Sequence, residues 1–222
     1  MTVTEAIPAT LESVHTVAEH ILAAARHRAT GRIGLTVIDG GFATPPFGPD
    51  STVVGLVEGS IVVRAGESER RAPLTTLRAA GEFVGVEPGS PADVYTPATP
   101  CDLDAQLQVE PNSLQRLVDW YGMCAEALRR FAVETAGDQP SNITLWPEHF
   151  DVAIRVGEVN YGALGGDANI PEPYAYVGPT GEAHPTEPAA FWNKPFGAVR
   201  TWRQLRSADD VLAFYREGRG YF

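Results

Sequence analysis

The chain has 222 residues, of which 44% are hydrophobic and 20% charged. That is the composition of a globular protein able to bury a core without a disulfide or metal. Its net charge of -11 opposes non-specific binding to nucleic acid or anionic lipid. No apolar run approaches the roughly 20 residues of a membrane helix, and no secretory signal is present. We therefore expect a cytoplasmic protein without nucleic-acid or membrane partners.

The chain begins with a predicted helix. Apolar residues recur at helical spacing between residues 11 and 25, with Thr10 as the N-cap and Gly31 as the end. Three histidines of this helix are spaced by five and seven residues, unlike a metal-binding pair at i and i+4. We interpret them as parts of a solvent-exposed face: His15, His20 and His27.

Alternating and β-branched residues predict strands at residues 32–38, 52–57, 60–64 and 69–72. Glu58 and Gly59 predict a tight hairpin between the second and third of these strands. A loop at 39–49 is rich in Gly, Pro and Phe, and we expect either a pocket wall or a loop packed on the core. A short helix should follow and end at Gly85.

Residues 86–111 contain five prolines and several acidic residues. This composition predicts a long surface connection that could mark a sub-boundary within a single domain spanning residues 1–222. A helix should then run from residue 113 to 136, with Asn112 and Gln115 as a capping box. Cys124 lies on its apolar stripe, which indicates a core residue rather than a nucleophile, and the two cysteines are unclustered, which favours reduced thiols.

The last predicted helix covers residues 207–218, with Ser207 and Asp210 as its capping box. Together these elements predict an α+β fold in which a mainly antiparallel sheet is flanked by about three helices.

The stretch Leu145–Arg155 concentrates groups that can carry chemistry. From residue 149 onward, alternate residues should point to opposite faces of a strand. The apolar set faces the core, and the other set places His149, Asp151, Ala153 and Arg155 on one face, where residues i and i+2 are roughly 6.6 Å apart along the backbone. Pro147 lacks an amide donor, so the strand should begin there or lie at an edge.

Three interpretations of this face remain open. In the first, His149 acts as a general acid or base, Asp151 orients it, and Arg155 binds an anionic group. In the second, Glu148, His149 and Asp151 bind a divalent metal, with Asp167 as a further ligand from a loop; this is the weakest interpretation because a single His is a poor metal signature. In the third, the three residues form a structural polar network. We expect neither a bound metal nor a cofactor.

Neighbouring segments supply candidate ligand-binding groups. Residues 160–167 form a predicted Gly-rich turn, residues 173–179 a strand with two tyrosines on one face, and residues 191–197 an aromatic cluster. Such aromatic density is typical of core closure and also of small-molecule pockets. The candidate ligand-binding residues are Glu148, Asn160, Tyr161, Tyr174, Tyr176, Trp192 and Asn193.

The segments LWPEHFDVAI, VNYGALGGDANIPEPYAYVGP and FWNKPFGA resemble the C-terminal part of an uncharacterised family of proteins from high-GC Gram-positive bacteria. The resemblance covers about the last third of the chain, implies a bacterial cytosolic origin, and transfers no mechanism.

The residues of the His149 face and its neighbouring segments predict small-molecule binding, with acid–base catalysis at the His149 face. The alternative is a non-catalytic structural or interaction protein, such as a homodimer through a sheet edge.

Overall fold

A computed structural model describes residues 3–181, 185 and 187–222. The fold is α+β, with two five-stranded antiparallel sheets. The chain forms two compact units: unit 1 comprises Met1–Asp119 and Leu145–Phe150, and unit 2 comprises Trp120–Thr144 and Asp151–Phe222. Each unit is described by itself.

Unit 1 opens with a helical stretch made of α1 (Val3–Val17), a π-helix (Ala18–Ala23) and α2 (Ala24–Thr30). Gly31 ends it in the left-handed conformation, as predicted. The predicted start was wrong, because the helix already includes Pro8 and Thr10. Thr10 is buried, and its hydroxyl oxygen accepts a hydrogen bond from the Glu110 amide instead of capping a helix.

The sheet of unit 1 contains β1 (Thr36–Ile38), β2 (Gly41–Ala43), β3 (Val53–Val57), β4 (Ser60–Ala65) and β5 (Ser68–Pro73), paired in chain order. The predicted hairpin is confirmed. Glu58 and Gly59 have φ angles of 50° and 75°, the left-handed pair that a two-residue hairpin turn uses. Gly41 meets the next strand so closely that a Cβ atom would lie 1.9 Å from the Leu56 carbonyl oxygen.

The proline-rich connection 86–111 lies wholly within unit 1. Its backbone is held by hydrogen bonds along its length. The Gly89 amide donates to the His20 carbonyl, and the Gln108 amide donates to the Ser13 hydroxyl. Before it, α3 (Leu77–Val84) ends at a left-handed Gly85 as expected.

Helix α4 (Pro111–Glu134) begins in unit 1 and continues in unit 2. The predicted capping box of Asn112 and Gln115 is wrong. The carboxylate of Glu110 accepts hydrogen bonds from the amides of Asn112 and Ser113, which satisfies donors that the first turn leaves unpaired. Cys124 is fully buried, as its place on the apolar stripe predicted.

The second sheet contains β6 (Thr144–Trp146), β7 (Asp151–Val156), β8 (Val159–Leu164), β9 (Tyr174–Pro179) and β10 (Ala198–Thr201) in the order β10-β9-β8-β7-β6. Most of the predicted Gly-rich turn at 160–167 is in fact strand β8. Gly162 fits there because the Tyr176 ring lies where its side chain would be. The last helix, α5 (Ala208–Arg219), has Ser207 as its N-cap, accepting from the Asp210 amide.

The aromatic rings of Phe131, Tyr161 and Tyr215 pack together in the core of unit 2. Among the helices that the structure describes, none is both long and apolar enough to cross a bilayer.

Candidate functional site

The predicted His149 face is divided between the units. Glu148 and His149 lie in a turn that belongs to unit 1, and His149 is exposed. The expectation that the strand includes His149 was wrong, since β7 begins at Asp151. Pro147 has no amide to donate and Phe150 adopts a left-handed φ of 48°, and residues 147–150 form a turn between β6 and β7.

Asp151 and Arg155 do lie on one strand, but they have separate partners. Asp151 is buried and accepts a hydrogen bond from the Tyr176 hydroxyl. Arg155 is exposed, and its guanidinium donates to the Gly157 carbonyl at 2.9 Å and contacts Glu158 at 3.5 Å. The structure therefore does not bring the carboxylate and the guanidinium of this face into one cluster.

Two of the candidate ligand-binding side chains in unit 2 are engaged in holding loops. The Tyr174 hydroxyl donates to Asp167, whose other carboxylate oxygen accepts from two backbone amides of its own turn. The Asn193 side chain pairs with both backbone groups of Val199, at 3.0 and 2.9 Å. Tyr174 and Asn193 fix loop geometry rather than offer free hydrogen-bonding groups.

The remaining candidates in unit 2 belong mainly to its core. Tyr161 is fully buried, and burial raises the pKa of its hydroxyl to about 12. Trp192 packs edge-on against Phe191 and leaves its buried indole N–H without a described partner. Asn160 is half-buried in β8, opposite Arg155 in β7.

A different group of polar residues lies inside unit 1, and we call it the polar cluster. It is formed by α1, the π-helix, the connection 86–111 and the turn after β6, which supply His15, Glu19, His20, Tyr95, Thr99 and Glu148. Glu148 is the one member that the sequence had singled out.

Glu19 is the most enclosed member, with its side chain fully buried. One carboxylate oxygen accepts from the Ala98 amide at 2.9 Å, and the other accepts from the amide and the hydroxyl of Thr99. Three donors therefore stabilise a buried carboxylate that would otherwise be costly. His15 Nε2 lies 3.8 Å from the same carboxylate.

The two histidines of the cluster have defined tautomers. His15 Nε2 lies 2.7 Å from the Pro147 carbonyl oxygen, and His20 Nε2 lies 3.0 Å from that of Thr99. Because a carbonyl oxygen can only accept, Nε2 must carry the proton in both rings. When each ring is neutral, its Nδ1 is left as a basic lone pair.

Burial lowers the pKa of His15 below its usual 6.5, against the opposing effects of Glu19 and the Pro147 carbonyl. The nearby rings of His149 and His20 lower it further. His15 is therefore neutral at physiological pH and available as a base.

Three polar atoms of the cluster are buried without a hydrogen-bond partner among the described residues: His20 Nδ1, the Tyr95 hydroxyl and Glu148 Oε2. The pKa of Tyr95 is raised by burial and then by the charges of Glu19 and Glu148. Both carboxylates therefore lie near its hydroxyl. Unpaired buried polar atoms are rare, and each costs about 1–3 kcal/mol. These three atoms are the hydrogen-bonding capacity that the cluster leaves open.

The described part of the chain places no Lys or Arg within ion-pair distance of Glu19 or Glu148. The cluster is therefore rich in negative charge and in acceptors. No group of three or more His, Cys, Asp or Glu side chains in that part is arranged to bind a metal ion, so the predicted metal alternative gains no support there.

The prediction that His15 and His20 are solvent-exposed was wrong. His20 is 1% exposed, and only 14% of the His15 side chain is accessible. Their spacing of five residues separates them on an α-helix, but the hydrogen bonds of a π-helix join residues five apart. His15 lies in the last turn of α1 and His20 in the π-helix that follows it. In the sequence, the signal for this cluster was the five-residue spacing of His15 and His20 with Glu19 between them.

In comparisons with known proteins, no family model, curated protein or solved structure matches the chain.

Proposed function

We propose that the protein binds a small protonated amine in the polar cluster and takes a proton from it. The observation that carries this proposal is that three residues of the polar cluster in unit 1 each have a buried polar atom without a described partner, and that the Glu19 and Glu148 carboxylates both lie near the Tyr95 hydroxyl. The proposal keeps the small-molecule binding and acid–base chemistry predicted from the sequence, but moves them from the His149 face to the polar cluster.

An ammonium group matches the hydrogen-bonding capacity that is left open. It has three N–H donors and no acceptor. Glu148 Oε2 and His20 Nδ1 can each accept one hydrogen bond, and the Tyr95 hydroxyl oxygen can accept a third. Glu19 already accepts from three donors, so it contributes negative charge rather than a further contact.

His20 is the residue that would take the proton. Its Nε2–H is held by the Thr99 carbonyl, which leaves the Nδ1 lone pair for the N–H of the bound ammonium. Transfer of that proton would give an imidazolium beside Glu19 and a neutral, nucleophilic amine. This is general base catalysis with a positioned histidine.

Binding can be tested by calorimetric titration of the full chain with ethanolamine, and with ethylene glycol as its uncharged analogue. We expect ethanolamine to bind and ethylene glycol to bind far more weakly. Glu148→Gln should weaken ethanolamine binding by roughly tenfold or more, because it removes a charged hydrogen-bond acceptor. Glu67→Gln, which removes an exposed charge in unit 1, should leave the affinity unchanged.

The opposing interpretation is a structural network that only ties the segment around Thr99 to the helix. It predicts that ethanolamine does not bind, or that Glu67→Gln and Glu148→Gln weaken binding equally. Either result would reject the proposed site.

The general-base role of His20 has its own readout in the ¹⁵N chemical shifts of its ring. We expect the Nδ1 shift to change when ethanolamine binds, because the lone pair accepts a hydrogen bond from the ammonium; in the resting complex the proton stays mainly on the more basic amine. An unchanged Nδ1 shift at saturation would leave binding intact and remove the general-base role.

A further inference from the structure

Unit 1 also contains an open cleft of about 190 Å³ that is separate from the polar cluster. Its walls come from α2, from β3 and β4, and from the end of α3. They are mostly apolar, and Ala25, Val54, Val63 and Val86 are each at least nine-tenths buried. Its volume is somewhat larger than the roughly 150 Å³ cavity that can hold a benzene molecule.

Arg28 is the one charged residue that lines this cleft. It is exposed and makes no ion pair with any carboxylate that the structure describes. Its guanidinium is therefore available to an anionic group in the cleft.

The surroundings of Arg28 strengthen the local positive charge. Arg26 and Arg32 lie near the same end of α2, and they too have no carboxylate partner among the described residues. Burial, and then the charge of Arg32, lower the pKa of Arg26. Arg26 and Arg32 therefore lie near each other, and they add positive charge to the part of the chain that carries Arg28.

We propose that this cleft binds a small monocarboxylate whose apolar body is about the size of a benzene ring. The body lies against Ala29 and the valine side chains of the wall, and the carboxylate pairs with the Arg28 guanidinium. Such a guanidinium can donate two parallel hydrogen bonds to a carboxylate. The inference is independent of the amine site, because it uses none of the residues of the polar cluster.

The probe for this site is benzoate, titrated against the ¹⁵N-labelled full chain and followed by NMR, with benzamide as the uncharged analogue. We expect benzoate to shift the amides of α2 and of residues 84–86, and to bind at least tenfold more tightly than benzamide. Arg28→Gln should weaken benzoate binding by roughly tenfold or more and leave benzamide binding unchanged.

Two further variants separate the cleft from general effects. Ala29→Phe fills the cleft from an exposed helix position and should abolish binding of both probes while the chain stays folded. Arg116→Gln removes another exposed arginine without a described partner, outside the cleft, and should change neither affinity.

The proposal is overturned if benzoate and benzamide bind equally, if Arg28→Gln and Arg116→Gln have the same effect, or if neither probe shifts these amides. Glu148→Gln should not alter benzoate binding. Failure of this proposal would therefore leave the amine site unaffected.

Discussion

Tyr95 and Tyr174 differ in whether their hydroxyls are paired, and this makes them a test of the polar cluster. The buried Tyr95 hydroxyl has no described partner, whereas the Tyr174 hydroxyl donates to Asp167. We expect Tyr95→Phe to raise the free energy of unfolding by about 1 kcal/mol, since it removes an unsatisfied buried group. Tyr174→Phe should lower it by about 2 kcal/mol.

The measurement is urea unfolding of each variant without ligand. If Tyr95→Phe is destabilised as much as Tyr174→Phe, the Tyr95 hydroxyl has a structural partner and the cluster is not an open site.

His15 should make stability depend on pH in a predictable direction. Its pKa is lowered in the folded state, chiefly by burial, so the unfolded chain binds a proton more readily. Well above pH 6.5, His15 is neutral in both states and does not lower the free energy of unfolding. As the pH falls below the unfolded-state pKa of His15, the free energy of unfolding decreases, and the decrease is complete below the folded-state pKa.

His15→Gln keeps a donor for the Pro147 carbonyl but cannot titrate. Between about pH 7.5 and about pH 5.5, the urea concentration at the unfolding midpoint should fall less in this variant than in the original chain. Equal losses would mean that His15 is not buried in its neutral form.

Residue-level sequence reasoning succeeded where a role is decided locally and failed where distant partners decide it. The Ser207 cap and the core position of Cys124 follow from neighbours within one helix. The role of Glu19 depends on Thr99, 80 residues away. No local pattern contains that partner.

At the scale of elements, two glycines in regular structure predict opposite effects of the same substitution. Gly122 lies within α4 with open space around its Cβ position, so Gly122→Ala should stabilise the protein by about 0.5–1 kcal/mol. Gly41 faces the Leu56 carbonyl of the adjacent strand, so Gly41→Ala should cost about 3 kcal/mol. Thermal unfolding of both variants checks the pair, and a stable Gly41→Ala chain would contradict the close approach of β2 and β3.

Helices, strands and turns were predicted correctly where the residues that determine them lie within the element itself. The β3–β4 hairpin was predicted because Glu58 and Gly59 carry the turn chemistry themselves. The start of α1 was missed because Pro8 suggested that the helix begins after it, whereas Pro8 lies inside the helix. The π-helix was missed because apolar periodicity in this stretch predicts one continuous α-helix, whereas the π-helix has all six of its residues buried, including Glu19 and His20.

At the scale of the whole molecule, the net charge of -11 should affect how ligands approach. A cationic amine is drawn towards a negative protein, and salt screens this attraction. We expect the association rate of ethanolamine to fall on the order of tenfold between about 10 mM and about 300 mM salt. NMR exchange measurements would check this, with ethylene glycol as a control that shows no salt effect; a salt-independent amine rate would contradict it.

The α+β class followed from composition and periodicity and is confirmed. The division into units was not predictable in the same way, because unit 1 is discontinuous along the chain. The proline-rich composition of residues 86–111 resembles that of a linker, although their backbone is held within unit 1. The prediction of one domain stays a prediction.

The return of Leu145–Phe150 to unit 1 has a consequence for biosynthesis. His15 reaches its partner carbonyl at Pro147 across 132 residues, and its ring stacks on that of Phe150. At about 5–20 residues per second, a ribosome needs on the order of ten seconds to synthesise that interval. During this time the nascent unit 1 has His15 without these partners, and Phe42 without the ring of Phe150 that it contacts in the finished protein. Unit 1 can therefore complete its core only after much of α4 has already left the ribosome.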